Sequence, residues 1–308
     1  MSRRWILLGL LAGVPCFGGD KNPGPHDVRF DPVLMESAGI PPFRHHVDFR
    51  ADLALDSFKA QVGTETLKGV FTRARPTLEY RYAPAPNAEF LFRVPYTAQS
   101  SDLYSSDGKR VQTRASAGMA APTIGFKLLF GKNVAFAAHT SPPTAAPRDP
   151  LLGDGTHYDG MLLFHAGPCH FSASYTARLP YIVQSATQTV RRQSGDVTEL
   201  AFALTKRDNP AYPKRDYVAP SVEVHGIYAD HTRLDGQGVS GSAALTGKVV
   251  FGFVLGKINP GATHLTRVAV SAGVGDLLHK TEDPTFGVGA VELTVGYGLY
   301  WGSSQQKI

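Results

Sequence analysis

The chain has 308 residues and a formal net charge of +5, with 19% charged and 43% hydrophobic residues. This composition is not that of a disordered chain, and so small a charge, with no Lys/Arg run longer than two residues, argues against nucleic-acid binding. No stretch reaches the roughly 20 consecutive apolar residues that a membrane-spanning helix needs. The 32 glycines and 22 prolines favour turns over long helices.

The N-terminus has the pattern of an export signal. Arg3 and Arg4 are followed by the apolar run 5–14, and small residues flank Phe17. We therefore predict a signal peptide over residues 1–18 and a Pro/Gly-rich periplasmic lead-in over 19–44. Lipidation of Cys16 and retention of the apolar start are alternatives. Removal of Cys16 would leave Cys169 as an unpaired thiol.

Apolar residues then alternate with polar ones in about twelve segments, each near the 9–11 residues of a tilted membrane strand. The first segment is 45–56, and the second and third flank the turn 84–87. The remaining segments are 117–130, 133–141, 157–166, 169–179, 196–206, 218–231, 241–256, 262–274 and 286–301.

The last segment has the clearest period of two, with an aromatic end at Tyr297 and Trp301. An apolar face ending in aromatic residues is typical of a strand that faces lipid. The sequence therefore predicts an all-β protein, an antiparallel up-and-down transmembrane barrel of about 12 strands over residues 45–301. Residues 302–308 would form a periplasmic tail.

The connections between segments alternate between long and short, as external loops and periplasmic turns do in outer-membrane barrels. An even strand number also places both termini on the periplasmic side. The eleven-residue connection 207–217 is an exception, because a tight turn is expected there. A soluble β-sandwich is the main alternative, since its strands alternate as well. The predicted long connections are 57–72, 98–112, 142–156, 180–195, 232–240 and 275–285, and the short ones 84–87, 131–132, 167–168 and 257–261.

Several short motifs occur in a familiar order along the chain. They are 78–82 (LEYRY), 88–96 (AEFLFRVPY), 123–127 (TIGFK), 141–144 (SPPT) and 155–160 (GTHYDG). In this order they resemble the outer-membrane channels associated with the meta-pathway of phenol degradation. The resemblance implies a barrel in the bacterial outer membrane that passes small, often hydrophobic or aromatic, solutes. Ala145 and the residues beyond Trp301 depart from the family pattern.

The expected function is therefore a passive outer-membrane channel, with external loops gating entry and the lead-in partly filling the lumen. Expected partners are outer-membrane lipid, a small-molecule solute and, during biogenesis, periplasmic chaperones and the barrel-assembly machinery, with no nucleic acid. Alternatives are a structural or adhesive barrel without transport, and a barrel or sandwich enzyme acting on lipid or glycan. The predicted lumen-lining residues are Asp48, Arg50, Asp52, Glu79, Arg81, Glu89, Arg93, Lys127, Glu199, Glu223, His225, Lys248, Arg267 and Glu292.

Two His-x-Ser pairs, His139/Ser141 and His170/Ser172, place a base and a nucleophile on the same face of a strand. The first lies at a strand end beside prolines, with no orienting acid nearby in the sequence. The second is expected to point into the lumen, away from lipid. We therefore expect no enzymatic activity, no cofactor and no metal site.

Overall fold

The computed structural model describes residues 32–41, 43–62, 65–131, 133–142, 156–184, 189–205, 216–240, 242–259, 262–274 and 291–303. The predicted signal peptide, much of the lead-in, Ala145, residues 207–215 and most of the tail lie outside these ranges and stay predictions. No helix within the ranges is long and apolar enough to cross a membrane.

Twelve antiparallel strands close into one barrel, because β1 pairs with both β2 and the last strand, β17. The predicted fold is confirmed. One of the twelve is divided into β4 and β5. The barrel strands are β1 (Phe43–Val62), β2 (Glu65–Ala85), β3 (Ala88–Tyr104), β4 (Arg110–Met119) with β5 (Thr123–Phe130), β6 (Val134–Ser141), β7 (His157–Ala166), β8 (Cys169–Arg178), β11 (Val197–Thr205), β12 (Asp216–Ala229), β15 (Ala244–Asn259), β16 (Ala262–Val274) and β17 (Val291–Ser303).

Side-chain burial is inverted relative to a soluble sandwich. On β17, Val291, Leu293, Val295 and Tyr297 face outward and are 38–50% exposed, whereas Glu292 and Thr294 face inward and are 8% and 2% exposed. The same outward apolar face continues on β1, β3, β5 and β15. Apolar side chains on the outside of a closed barrel require a hydrocarbon environment.

The predicted segment 117–130 is interrupted at Pro122. β3 pairs first with β4, from Tyr104 to Tyr96, and then with β5, from Arg93 to Ala88. Proline has no backbone N–H to continue a ladder, so the strand divides there.

Two predicted long loops are wrong. Residues 57–62 continue β1 and residues 65–72 belong to β2, with the register running through to Val62↔Glu65. Residues 98–104 likewise continue β3. These parts carry no apolar alternation because they extend past the lipid-facing band, so the sequence pattern does not reveal them.

Two of the remaining long connections contain short strands that form a second sheet. They are β9 (Tyr181–Gln184), β10 (Thr189–Gln193), β13 (Arg233–Leu234) and β14 (Gln237–Gly238). The two connections join where β10 pairs with β13 and where the Arg191 amide donates to Asp235 Oδ1 over 2.8 Å. This external sheet lies at the end of the barrel opposite the tight turns. One of those turns contains Gly167, whose φ of 58° suits glycine.

The expectation that Cys169 is an unpaired thiol depends on removal of Cys16 and stays a prediction. Cys169, the first residue of β8, is disulfide-bonded.

Candidate functional site

The fourteen predicted lumen-lining residues occupy inward-facing positions of the barrel wall. Asp52, Glu89, Lys127, Glu223, His225 and Glu292 are buried. Asp48, Arg50, Glu79, Arg81, Arg93, Glu199, Lys248 and Arg267 are partly buried. Their role in lining a solute pathway stays a prediction.

Charged residues on the wall pair with each other, either within one strand or across an intervening strand. Lys248 Nζ lies 2.6 Å from Glu292 Oε2, and Arg267 pairs with Asp48. Arg50 Nε lies 3.2 Å from Asp52 Oδ2. Paired charges are the form in which ionisable groups tolerate an interior with little water.

Glycines on β17 provide room for one of these pairs. A Cβ atom at Gly298 would lie 3.0 Å from Asp48 Oδ2 and 3.3 Å from Arg267 Nη1. Glycine alternates with apolar residues in 295–299, and this pattern indicates that the inward face of β17 leaves room for other side chains. The pattern did not indicate that the Asp48–Arg267 ion pair fills that room. His46, which the sequence analysis missed, stacks on buried Tyr300 beside it, with ring centroids 3.8 Å apart.

Residues 32–41, which we call the plug, lie inside the barrel. Val33, Met35, Ala38 and Ile40 of the plug are all buried, with at most 7% of each residue exposed. Val33 packs against wall residues that include Val250 and Leu265. Met35 and Ala38 contact two further patches, which are lined mostly by alanines of β6 and β11.

Glu223 binds the plug backbone. Its Oε1 accepts hydrogen bonds from the amides of Val33 and Leu34, over 2.5 and 3.0 Å, and its Oε2 accepts one from Met35 over 2.9 Å. His225 supports the same carboxylate, with Nε2 3.2 Å from Oε2. Glu223 is fully buried, so these amides replace the water that a carboxylate otherwise needs.

Glu36 makes the second polar connection between plug and wall. Arg81 Nη1 and Nη2 donate to Glu36 Oε1 and Oε2 over 2.5 and 2.8 Å, and Lys127 Nζ donates to Oε1 over 3.1 Å. Burial opposes ionisation of Glu36, but Arg81 and Lys127 outweigh it and hold the pKa of this carboxyl well below its usual range. Glu36 was not predicted to be a site residue, because a charged residue in a Pro/Gly-rich segment is expected to be exposed to solvent.

Arg81 is the centre of a larger ion-pair network. Its Nε lies 2.5 Å from Glu79 Oε1 and its Nη1 2.9 Å from Glu89 Oε1. Arg93 Nη2 lies 2.6 Å from Glu79 Oε2, and Lys127 Nζ 3.4 Å from Glu89 Oε1. Plug and network line a cavity of about 120 Å³. A space of this size holds several waters.

The described contacts of neither His-x-Ser pair make up a catalytic relay. His170 Nε2 lies 3.3 Å from Thr205 Oγ1, and Ser172 is buried on the lumen side. Ser141 Oγ contacts His157 Nε2 at 3.2 Å, and Asp159 Oδ2 lies 3.7 Å from that same nitrogen. A relay needs the acid at one ring nitrogen and the hydroxyl at the other.

His139 does not join its Ser141 partner in a reactive arrangement either, because its ring packs over Gly125. Within the described ranges, no three His, Cys, Asp or Glu side chains are grouped to hold a metal ion.

No protein-family model matches the sequence, and no curated protein matches it. Among solved structures, the chain is similar to the COG4313 outer membrane channel from Pseudomonas putida F1, with a TM-score of 0.54 and 12% identity over 88% of this chain and 99% of that one. Less similar are the translocator domain of the autotransporter NalP from Neisseria meningitidis (TM-score 0.44, 7% identity, 84% and 88% covered) and the CymD monoaromatic hydrocarbon channel (TM-score 0.32, 8% identity, 89% and 91% covered). The fold of this chain is that of an outer-membrane β-barrel.

Proposed function

We propose that this protein is a passive outer-membrane channel for small solutes and that the plug holds it closed. The observation that carries the proposal is the seating of the plug. It is held by hydrogen bonds and ion pairs to a charged wall, through Glu223 and Glu36. Such contacts are exchangeable with water, so the plug can leave the lumen without disturbing the strand ladders that close the barrel.

The wall is suited to water once the plug is displaced. Its charges pair with each other across intervening strands, as in Lys248–Glu292 and Arg267–Asp48. An interior of opposed charges supports a hydrated pathway, whereas a barrel with only a structural role needs no such wall. The outward apolar face and the aromatic rim favour an outer-membrane location.

The resemblance noted in the sequence supports hydrophobic or aromatic solutes as the class transported. The small cavity and paired charges support selective rather than bulk flow. A barrel without transport is the second candidate, because the plug occupies part of the lumen in the described conformation.

A reversible disulfide bond between the plug and the barrel wall tests this function. A Cβ atom at Gly252 would lie 2.9 Å from Val33 Cγ2, so cysteines at both positions are within disulfide reach. We expect Val33→Cys/Gly252→Cys to lose channel openings in planar bilayers when oxidised and to regain them on reduction. Each single-cysteine variant and the parent protein, with and without reductant, are the controls. If the reduced protein shows neither channel events nor solute uptake by liposomes, the barrel does not transport.

A further inference from the structure

We propose that Arg81 and Lys127 form a binding site for the carboxylate of a solute, and that Glu36 occupies this site as an internal stand-in while the plug is seated. The inference rests on the proposed channel function and names the chemical class of the solute, which is small monocarboxylates.

The geometry around Glu36 is that of a ligand site rather than a surface ion pair. Two nitrogens of Arg81 meet two oxygens of one carboxylate, at 2.5 and 2.8 Å, and Lys127 adds a third donor at 3.1 Å. A planar guanidinium facing a planar carboxylate through two bonds is selective for that group over hydroxyls and amides.

The site is prearranged by the wall itself. Glu79 holds Arg81 through Nε, and Glu89 contacts both Arg81 and Lys127. These contacts run within β2 or between neighbouring barrel strands, so they do not depend on the plug. The donors that face Glu36 therefore keep their positions when the plug leaves, which lowers the ordering cost of binding.

The charge balance of the network also favours an anion at the position of the Glu36 carboxylate. The described network contains the cations Arg81, Arg93 and Lys127 and, on the wall, only the carboxylates Glu79 and Glu89. With Glu36 the described charges balance, and without it one positive charge is in excess. In a partly buried setting that excess attracts a monoanion.

One site shared by plug and solute couples binding to opening. A carboxylate that takes the place of Glu36 favours the withdrawn plug by its own affinity for the site. Neutral solutes gain no such advantage.

The test uses the full chain with Glu36→Ala, which removes the Glu36 side chain beyond Cβ and so leaves the place of its carboxylate to that of added propionate. We expect propionate to bind this variant in calorimetric or NMR titrations, and propionamide, its neutral counterpart, to bind at least tenfold more weakly. Wild type, whose Glu36 fills the site, should bind propionate at least tenfold more weakly than the variant.

Second substitutions in Glu36→Ala locate the site. Adding Lys127→Gln should weaken propionate binding at least tenfold, whereas Lys248→Gln, the same change at a lumen lysine paired with Glu292, should leave it unchanged. Heat-modifiability on a gel checks that each variant folds. Equal binding of propionate and propionamide, or equal loss in both double variants, overturns the proposal.

The outcome is separable from that of the proposed function. Propionate binding without conductance in any variant keeps the site and removes the channel. Conductance without a preference for propionate keeps the channel and removes the site.

Discussion

Glu223→Gln should loosen the plug. Glu223 receives three backbone amides of the plug on its two oxygens. Glutamine keeps one accepting oxygen, so the bonds from Val33 and Leu34 can remain in neutral form. The amide from Met35 then faces an NH₂ group and loses its acceptor.

The expected size follows from hydrogen-bond energies. A bond to a charged group contributes about 1.5–3 kcal/mol, and a neutral bond roughly 1 kcal/mol. Losing one charged bond and weakening two others amounts to about 3 kcal/mol in favour of the withdrawn plug. Since each 1.4 kcal/mol is tenfold, the ratio of open to closed channels should rise on the order of 100-fold.

Single-channel recording of open probability in planar bilayers measures this ratio. Glu292→Gln is the matched control, because Glu292 is also a buried wall carboxylate, yet it pairs with Arg73 and Lys248 rather than with the plug. If Glu223→Gln raises open probability no more than Glu292→Gln does, the plug is not held by Glu223 and the reasoning fails.

Three further perturbations address the lipid-facing wall, the pH dependence of the plug and the external sheet. Phe251, 63% exposed on the outward face of β15, should not tolerate charge: Phe251→Arg should cost about 2–4 kcal/mol of folding stability in lipid vesicles, measured by urea titration, and a neutral result would contradict a lipid-facing position. Because the pKa of Glu36 is lowered, the ion pairs of its carboxylate stabilise the seated plug fully above pH 4.5, the ordinary pKa of glutamate, and this stabilisation is lost as the pH falls further. Open probability should therefore rise below pH 4.5 more in wild type than in Glu36→Ala. Identical pH profiles of the two proteins would show that ionised Glu36 does not hold the plug. Asp235→Ala removes the acceptor of the Arg191 amide and should speed trypsin cleavage after Arg191 severalfold, whereas an unchanged rate would show that this bond does not hold the external sheet together.

The sequence predicted the parts of the fold that lipid imposes. Alternation from Val291 to Trp301 identified β17, because hydrocarbon on one side and a polar lumen on the other require opposite residues at successive positions. Beyond the lipid this requirement ends. The pairing of Lys59 with Lys68 was therefore invisible in the pattern, and residues 57–72 read as a loop.

Only the residues of the candidate site that lie on the barrel strands could be predicted from the sequence. Arg81, Glu89 and Lys127 stand on three consecutive barrel strands, and their inward direction follows from the apolar residues on either side of each in the sequence. Glu36 lies outside the strands, so no alternating pattern indicates where its side chain points. Its burial depends on long-range contacts with residues that lie at least 45 positions away in the chain, and no local pattern encodes them.

The strands β1 and β2 extend past the described start of β17. β17, as described, begins at Val291 opposite Leu55, while β1 continues to Val62, paired with β2. Seven further residues at about 3.3 Å each raise this side by roughly 20 Å of strand. The paired ends of β1 and β2 therefore form a ribbon that projects beyond the described start of β17, at the end of the barrel that also carries the second sheet, and can screen the barrel mouth on that side.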